Sequence, residues 1–202
     1  ACLVLGGGLG IYHFYTENQI EAMNNEIVSK MFVQMDKEKS NENNVDIFDT
    51  VNVARDGEEL IEEGDDQTKK ESLVPADGRE YIGIIEVQEL GIRLPVLKNY
   101  TDADMKTTPC VYFGTRENDN LVIVGHNYDS QFGNFNKLDS SQEVNAILTL
   151  LDGTKYYYKS KSLENLNPNQ IDEMLSGEWD MTLFTCSYSG EKRIALRFDL
   201  VR

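Results

Sequence analysis

Short apolar runs separated by turn residues fill the chain from Tyr81 onward. Some alternate apolar and polar positions and others are continuous, as expected of strands with one or both faces buried. Many such runs, with little helical periodicity between them, predict an all-β barrel or sandwich, and the pattern favours a barrel only slightly. The runs are YIGIIEV, IRLPVL, CVYFGT, LVIVGHN, NAILTLL, KYYYKSKS, MTLFTC and RIALRFDLV. Asp152 and Gly153, between two of them, predict a two-residue hairpin.

The chain upstream of these runs has a different pattern. Over residues 16–39 apolar side chains recur at helical spacing, which predicts an amphipathic helix that packs on the domain or extends from a membrane. These apolar positions are Ile20, Met23, Ile27, Met31 and Met35. Residues 40–78 are mostly Asp, Glu and Asn, which predicts a solvated acidic linker, and without DxDxDG spacing a calcium site is not expected. Residues 79–202 then form the folded β domain.

Residues 1–15, ACLVLGGGLGIYHFY, are apolar and end in an aromatic cluster. A membrane-spanning helix needs about 20 apolar residues, so we interpret this stretch as the remnant of an N-terminal anchor, with its aromatic rings at the headgroup level. The end of a signal peptide and a glycine-containing buried strand are the alternatives. An uncleaved anchor would leave the rest of the chain on one side of the membrane.

Composition narrows the function classes. The formal net charge of −16 argues against a surface that neutralises nucleic-acid phosphates. The three cysteines, Cys2, Cys110 and Cys186, are odd in number and far apart, which does not suit a disulfide framework or a CxxC metal site.

Reactive side chains follow or begin three of the predicted strands. His126 follows LVIVG, Cys186 ends MTLFTC, and Arg193 begins RIALRF. A cysteine nucleophile needs an acid to protonate the departing amine and a cation to stabilise the oxyanion, and these three residues supply them. Taken singly, each has a more ordinary role: a buried thiol, a structural histidine and a surface arginine.

The combination TLFTC, VGHN and an arginine at the head of the last strand resembles the sortases, membrane-anchored cysteine transpeptidases of Gram-positive bacteria. The resemblance covers residues 81–202 and implies an eight-stranded β-barrel with short helices, preceded by an N-terminal helix. It assigns the nucleophile to Cys186, the general acid/base to His126 and the oxyanion contact to Arg193. Features of class B and class D members both fit.

The resemblance also implies a reaction and its partners. A secreted protein with a C-terminal LPxTG-type sorting signal would form a thioester with Cys186, and an amine of peptidoglycan or of a pilin would resolve it. No metal or organic cofactor would take part. The domain would lie outside the cell, held at the membrane by a single N-terminal anchor. Free thiols and imidazoles have pKa values of about 8.5 and 6.5, so activity would follow their coupled titration.

Residues around the three catalytic candidates are weaker predictions. Arg197 lies on the same strand face as Arg193 and is the alternative arginine. Thr185 and Ser187 flank the nucleophile and are predicted to contact the peptide backbone. The loop over residues 160–178 is predicted to set specificity through an apolar slot, although these side chains could equally pack the loop onto the barrel. The slot residues are Leu163, Leu166, Ile171 and Met174.

Two departures from the family pattern concern the reactive positions. Asn127 follows the histidine where arginine is frequent, and Cys110 has no counterpart, so we interpret it as structural. Two other functions remain open from the sequence. One is a cysteine peptidase that hydrolyses its acyl-enzyme, and the other is a non-catalytic, membrane-anchored surface binding module.

Overall fold

The computed structural model describes residues 2–45, 77–175 and 178–202, and the side chains of residues 14–37 and of the last two ranges. The helices are α1 (Cys2–Val45), α2 (Asp102–Met105) and α3 (Ile171–Leu175), with 3-10 helices over Gln88–Leu90 and Gly133–Lys137. The strands are β1 (Tyr81–Val87), β2 (Ile92–Leu97), β3 (Cys110–Phe113), β4 (Leu121–Val124), β5 (Asn145–Leu150), β6 (Lys155–Leu166), β7 (Met181–Cys186) and β8 (Arg193–Leu200).

The eight strands form a closed barrel in the order β1-β2-β3-β4-β7-β8-β6-β5. Two neighbouring pairs, β2 with β3 and β4 with β7, are parallel, and the other pairs are antiparallel. Each predicted apolar run contains one strand, so the predicted eight-stranded barrel with short helices and an N-terminal helix is confirmed.

The hairpin between β5 and β6 has a longer loop than predicted. The Leu150 amide donates to the Thr154 carbonyl at 2.8 Å, which leaves three residues in the loop. Gly153 has φ of +80°, the left-handed conformation that a three-residue loop with a bulge requires. The DG pair therefore marks the position of the hairpin correctly, but the predicted loop length of two residues is wrong.

Side-chain alternation along the strands divides the core into two clusters. Ile123 and Leu183 belong to the cluster inside the barrel. Val124, Phe184 and Ala195 belong to a second cluster, which also contains α1 side chains and therefore lies on the outer face of the barrel. Buried apolar side chains of β4, β7 and β8 thus lie on the outer face directly next to the predicted reactive positions.

Helix α1 packs on the barrel with the side predicted from its periodicity. Most of the predicted positions, together with Val28, are buried, and each large apolar side chain contributes about 1.5–3 kcal/mol. Asn24 is fully buried among them. Its amide donates to the Thr107 carbonyl at 2.8 Å, and its oxygen accepts from the Thr108 hydroxyl at 3.0 Å. These polar contacts fix which turn of α1 lies against the segment before β3.

The predicted N-terminal segments fall partly outside the described residues. Helix α1 runs through the predicted boundary between the anchor remnant and the amphipathic helix, and the side chains of residues 1–13 lie outside the description. Most of the predicted acidic linker, residues 46–76, also lies outside it. Within the described part of the chain, no helix has both the length and the hydropathy to span a membrane.

Candidate active site

The three predicted catalytic residues lie in one row across β4, β7 and β8. Strands β4 and β7 are in parallel register, with Val124 opposite Phe184. The pairing continues through the Gly125 amide, which donates to the Phe184 carbonyl at 3.1 Å. Strand β4 ends at Val124, and His126 follows it by two residues, as Cys186 follows Phe184 on β7. On the other side of β7, Cys186 is directly opposite Arg193 of β8.

All three side chains also belong to the outer face of the barrel. Each lies two positions beyond a buried residue of the outer cluster, namely Val124, Phe184 or Ala195. Since residues two apart on a strand share a face, the thiol, imidazole and guanidinium project from the same surface. Antiparallel neighbours such as Cys186 and Arg193 have Cβ atoms about 4.5–5.5 Å apart. Strand pairing therefore sets the spacing of Cys186 and Arg193, whereas His126 lies beyond the end of β4.

Close packing determines where the histidine lies. A Cβ on Gly125 would come within 2.6 Å of the Phe132 ring, so only glycine lets the chain pass at this point. The backbone amide of His126 then donates to Gln131 Oε1 at 2.9 Å. The imidazole ring of His126 stacks on the Tyr128 ring, with the ring centroids 3.8 Å apart and the planes inclined by 28°. The imidazole is partly exposed and has a defined ring neighbour.

The thiol of Cys186 is partly exposed at the carboxyl end of β7. Thr185, predicted to contact the peptide, is fully buried with its side chain on the barrel side of the strand. The structure thus leaves no Thr185 surface for a peptide, because alternation turns it away from the face that carries Cys186. Ser187 is partly exposed, and its hydroxyl accepts from the Lys192 amide at 3.1 Å. Its predicted peptide contact remains a prediction.

The two arginines of β8 have different surroundings. Nη1 of Arg193 donates to the carbonyls of Gly190 and Lys192, both at 3.2 Å, so the guanidinium lies against the turn that follows Cys186. Arg197 is 1% exposed and donates to Glu164 Oε2 at 2.9 Å. Buried partners hold its guanidinium, and therefore Arg197 is not placed to act as the alternative arginine.

The predicted specificity loop begins later than expected, because β6 continues to Leu166. Leu163 lies within that strand and packs against the interior cluster. Leu166 is opposite Arg193 and belongs to the buried outer cluster, so it extends the row by one strand. In α3, Met174 is buried while Ile171 is half exposed. Packing therefore accounts for Leu163, Leu166 and Met174, whereas Ile171 keeps about half of its surface open.

Three side chains to which the sequence assigned no role hold the site together. Gln131 is buried and links His126 to the Lys106 carbonyl, to which it donates at 3.1 Å. Asn127 and Asn136 donate to backbone carbonyls next to the nucleophile. Their signal is the density of amide side chains in GHNYDSQFGNFNK, which is unusual for a segment that follows a buried strand.

Cys110 has a different environment from Cys186. Burial raises the pKa of the Cys110 thiol to about 12, so it stays neutral at physiological pH. Its Sγ contacts the Thr108 carbonyl at 3.2 Å. Both features agree with the structural role predicted for it. Among the described side chains, no group of three or more His, Cys, Asp or Glu residues is arranged to hold a metal ion.

Comparisons with solved structures identify the fold. Similar structures include Streptococcus agalactiae sortase C1 in its type I crystal structure, with 16% identity, a TM-score of 0.52, and coverage of 62% of this chain and 71% of that one. Streptococcus pneumoniae sortase C is 17% identical, with a TM-score of 0.51, and the match covers 60% of this chain and 69% of that one. A Clostridium perfringens sortase D5 transpeptidase is 20% identical, with a TM-score of 0.50, and the match covers 61% of this chain and 80% of that one. No curated protein sequence matches the chain.

Fold and site together describe a β-barrel protein with a thiol, an imidazole and a guanidinium in one row at the strand ends. A family model of the sortase domain matches residues 85–201, more than half of the chain. The chain therefore belongs to the sortase family, as its motifs predicted. Membership in this family supports an enzyme that acts on peptide bonds.

Proposed function

We propose that this protein is a cysteine transpeptidase that cleaves a C-terminal LPxTG-type sorting signal and transfers the protein to an amine of the cell wall or of a pilin. The observation that carries the proposal is that Cys186 of β7 is paired with Arg193 of β8, while His126 follows the end of β4, the other strand next to this part of β7. Such a row places a nucleophile between an acid/base and a cation, which is the arrangement that acyl transfer needs.

The first half of the reaction would form the acyl-enzyme. The Cys186 sulfur attacks the carbonyl carbon of the threonine in the signal, and the carbonyl oxygen becomes an oxyanion that the Arg193 guanidinium stabilises. The C–N bond then breaks, and His126 gives a proton to the departing amine. A thioester remains on Cys186.

In the second half the acceptor amine attacks the thioester. His126 takes a proton from that amine, a new C–N bond forms, and the C–S bond breaks. This regenerates the Cys186 thiolate and the protonated His126, which are the forms that attack the signal and protonate the departing amine in the first half. No change of oxidation state is involved. Water in place of the amine would give hydrolysis, so the acceptor alone separates a transpeptidase from a peptidase.

We place this activity at the outer surface of a Gram-positive cell, with residues 1–15 as the remnant of the membrane anchor. Family membership and the apolar character of those residues support this location. The acidic net charge is compatible with it, since the proposed partners are peptides and cell-wall amines.

The test is incubation of the purified full chain with a library of fluorogenic sorting peptides, with and without an amine acceptor such as triglycine. We expect cleavage of one motif and a ligated product by mass spectrometry when the amine is present. The Cys186→Ala variant is the control and should be inactive. Hydrolysed product alone at saturating amine would indicate a peptidase, and equal activity in the Cys186→Ala variant would overturn the proposal.

A further inference from the structure

The loop that carries His126 also contacts the turn that follows Cys186. Nδ2 of Asn127 donates to the Ser187 carbonyl at 3.1 Å. Nδ2 of Asn136 donates to the Cys186 carbonyl at 3.4 Å, and its Oδ1 accepts from the Tyr188 amide at 3.0 Å. Two side chains from one loop thus hold the backbone of the nucleophile and of the two residues after it.

These contacts occur where the β-ladder ends. The β4–β7 pairing stops at the bond from the Gly125 amide to the Phe184 carbonyl, and no β-ladder pairing joins His126 to Cys186 beyond it. Ladder bonds keep neighbouring strands in register only as far as they extend. Past that point, side-chain bonds to the backbone set the distance between imidazole and thiol.

We infer that Asn127 and Asn136 form a clamp that positions His126 relative to Cys186 for the reaction under "Proposed function", on which this role depends. Asn127 comes directly after the histidine and binds the carbonyl directly after the cysteine. The bond therefore joins the two chain segments one residue beyond each reactive side chain. Both asparagines are partly buried, as are their bonds to the Ser187 and Cys186 carbonyls, which shields those two bonds from water, whereas the bond from the Tyr188 amide is exposed.

Asn136 extends the clamp to both sides of the turn. Its Nδ2 also donates to the Gly133 carbonyl at 3.1 Å, which fixes the amide within its own 3-10 helix. The orientation of the amide is then set, so that its oxygen faces the Tyr188 amide. An alanine here would release the Cys186 carbonyl and the Tyr188 amide together. Because reacting groups held loosely lose rate steeply, the effect should be on kcat rather than on KM.

The experiment uses the full chain with Asn127→Ala, Asn136→Ala and the double variant. Asn134→Ala is the matched control, because Asn134 lies on the same 3-10 helix but donates to the Leu90 carbonyl at 3.1 Å, away from the nucleophile. The readouts are kcat and KM for the cleaved sorting peptide, the melting temperature, and the rate at which iodoacetamide alkylates Cys186 across pH, followed by mass spectrometry of that peptide.

We expect each clamp variant to lower kcat by about tenfold, with KM within about twofold of the wild type. The double variant should lose much less than the product of the two single losses, since residues that act as a unit are non-additive. The alkylation profile of Cys186 should move in both single variants and stay unchanged in Asn134→Ala. Asn136→Asp keeps the acceptor for Tyr188 and should retain more activity than Asn136→Ala.

A wild-type kcat and an unchanged alkylation profile in both Asn127→Ala and Asn136→Ala would overturn the clamp. An equal loss of kcat in Asn134→Ala would overturn it too, because the effect would then come from general loosening of the loop. If the wild type cleaves no sorting peptide, the proposed function fails, and the alkylation profiles still decide whether the clamp positions the thiol.

Discussion

Two antiparallel pairs on the β7–β8 ladder present the same face to different surroundings. At one end Cys186 is opposite Arg193, and four residues away Thr182 is opposite Arg197. The first pair is partly exposed at the strand ends, whereas Thr182 and Arg197 are almost completely buried. The ladder is continuous between them, so the difference comes from what covers each pair.

Arg197 is covered by the segment between β6 and β7. It donates to the Thr182 hydroxyl at 3.0 Å and to the carbonyls of Glu173 and Met174 at 2.7 and 3.0 Å. It thereby fixes α3 against β8. Arg193 donates to two carbonyls of its own turn and keeps part of its surface open. Of two arginines on one strand face, one is therefore enclosed and structural, and the other is open to the chemistry proposed for it.

The largest expected effect comes from removing the thiol of Cys186, in the partly exposed pair that Cys186 forms with Arg193. We expect Cys186→Ala to lower turnover of a cleaved sorting peptide by at least about a thousandfold, because no other group on the row can form the acyl-enzyme. The melting temperature should change little, since the thiol is partly exposed. Chromatographic product assays and thermal melts measure the two quantities. Retention of even a tenth of the activity would remove Cys186 from the chemistry.

Arg193→Ala should have the next largest effect. Loss of one oxyanion donor typically costs about 10²–10³ in kcat, and we expect a value in that range with little change in stability. Arg193→Lys keeps the charge without the planar fork and should recover part of the rate. Steady-state kinetics on the same peptide gives the comparison. If alanine at this position matched the wild type, the oxyanion contact would have to come from another group.

The enclosed arginine should behave in the opposite way. Arg197→Met removes one member of a buried ion pair and leaves the Glu173 and Met174 carbonyls without their donor, so we expect a loss of about 3 kcal/mol in unfolding free energy. Urea unfolding at neutral pH measures it. Glu164→Gln, which keeps an acceptor for the guanidinium, should lose less. A fully stable but inactive Arg197→Met protein would reverse the roles assigned to the two arginines.

The smallest expected effect is a change in stability with pH that comes from the buried thiol of Cys110. Burial raises the pKa of Cys110 from its ordinary value of 9.0 to about 12, so the fold favours the neutral thiol. That contribution to stability is complete below pH 9 and is lost as pH rises toward 12. Between pH 8 and pH 10 it should fall by about 1 kcal/mol.

Cys110→Ser is the control for this prediction, because a hydroxyl does not titrate in that range. Urea unfolding at both pH values should show a smaller loss in the variant than in the wild type. The buried tyrosines Tyr81 and Tyr158, whose pKa values burial also raises, add the same background to both proteins. Parallel curves for the two proteins would show that folding does not raise the pKa of Cys110.

The sequence predicted the barrel well because strands buried on one or both faces leave a strong local pattern. MTLFTC and LVIVG carry their own strand signals and end where the strands end. It predicted less where geometry depends on distant contacts. The start of the β6–β7 loop is one example, since β6 is extended by its pairing with β8 through Leu166. The three-residue loop at Gly153 is another, because turn chemistry alone does not fix loop length.

The site shows the same division. TLFTC and GH locate two of the reactive positions within the chain, but the orientation of Thr185 follows from which face of β7 meets the barrel interior. The roles of Asn127, Gln131 and Asn136 were missed because amide side chains in a loop do not reveal which backbone groups they bind. Only the closed barrel brings their partners near, and those partners are backbone groups that no sequence motif marks.

The parallel pairing of β4 with β7 has a consequence for how the chain becomes functional during synthesis. The two strands are separated by about sixty residues, and β8 must add to β7 before the guanidinium is in place. Contacts between distant segments close late, because the entropy of the intervening loop has to be overcome first. A nascent chain therefore cannot pair Cys186 with Arg193 until β8 has emerged from the ribosome.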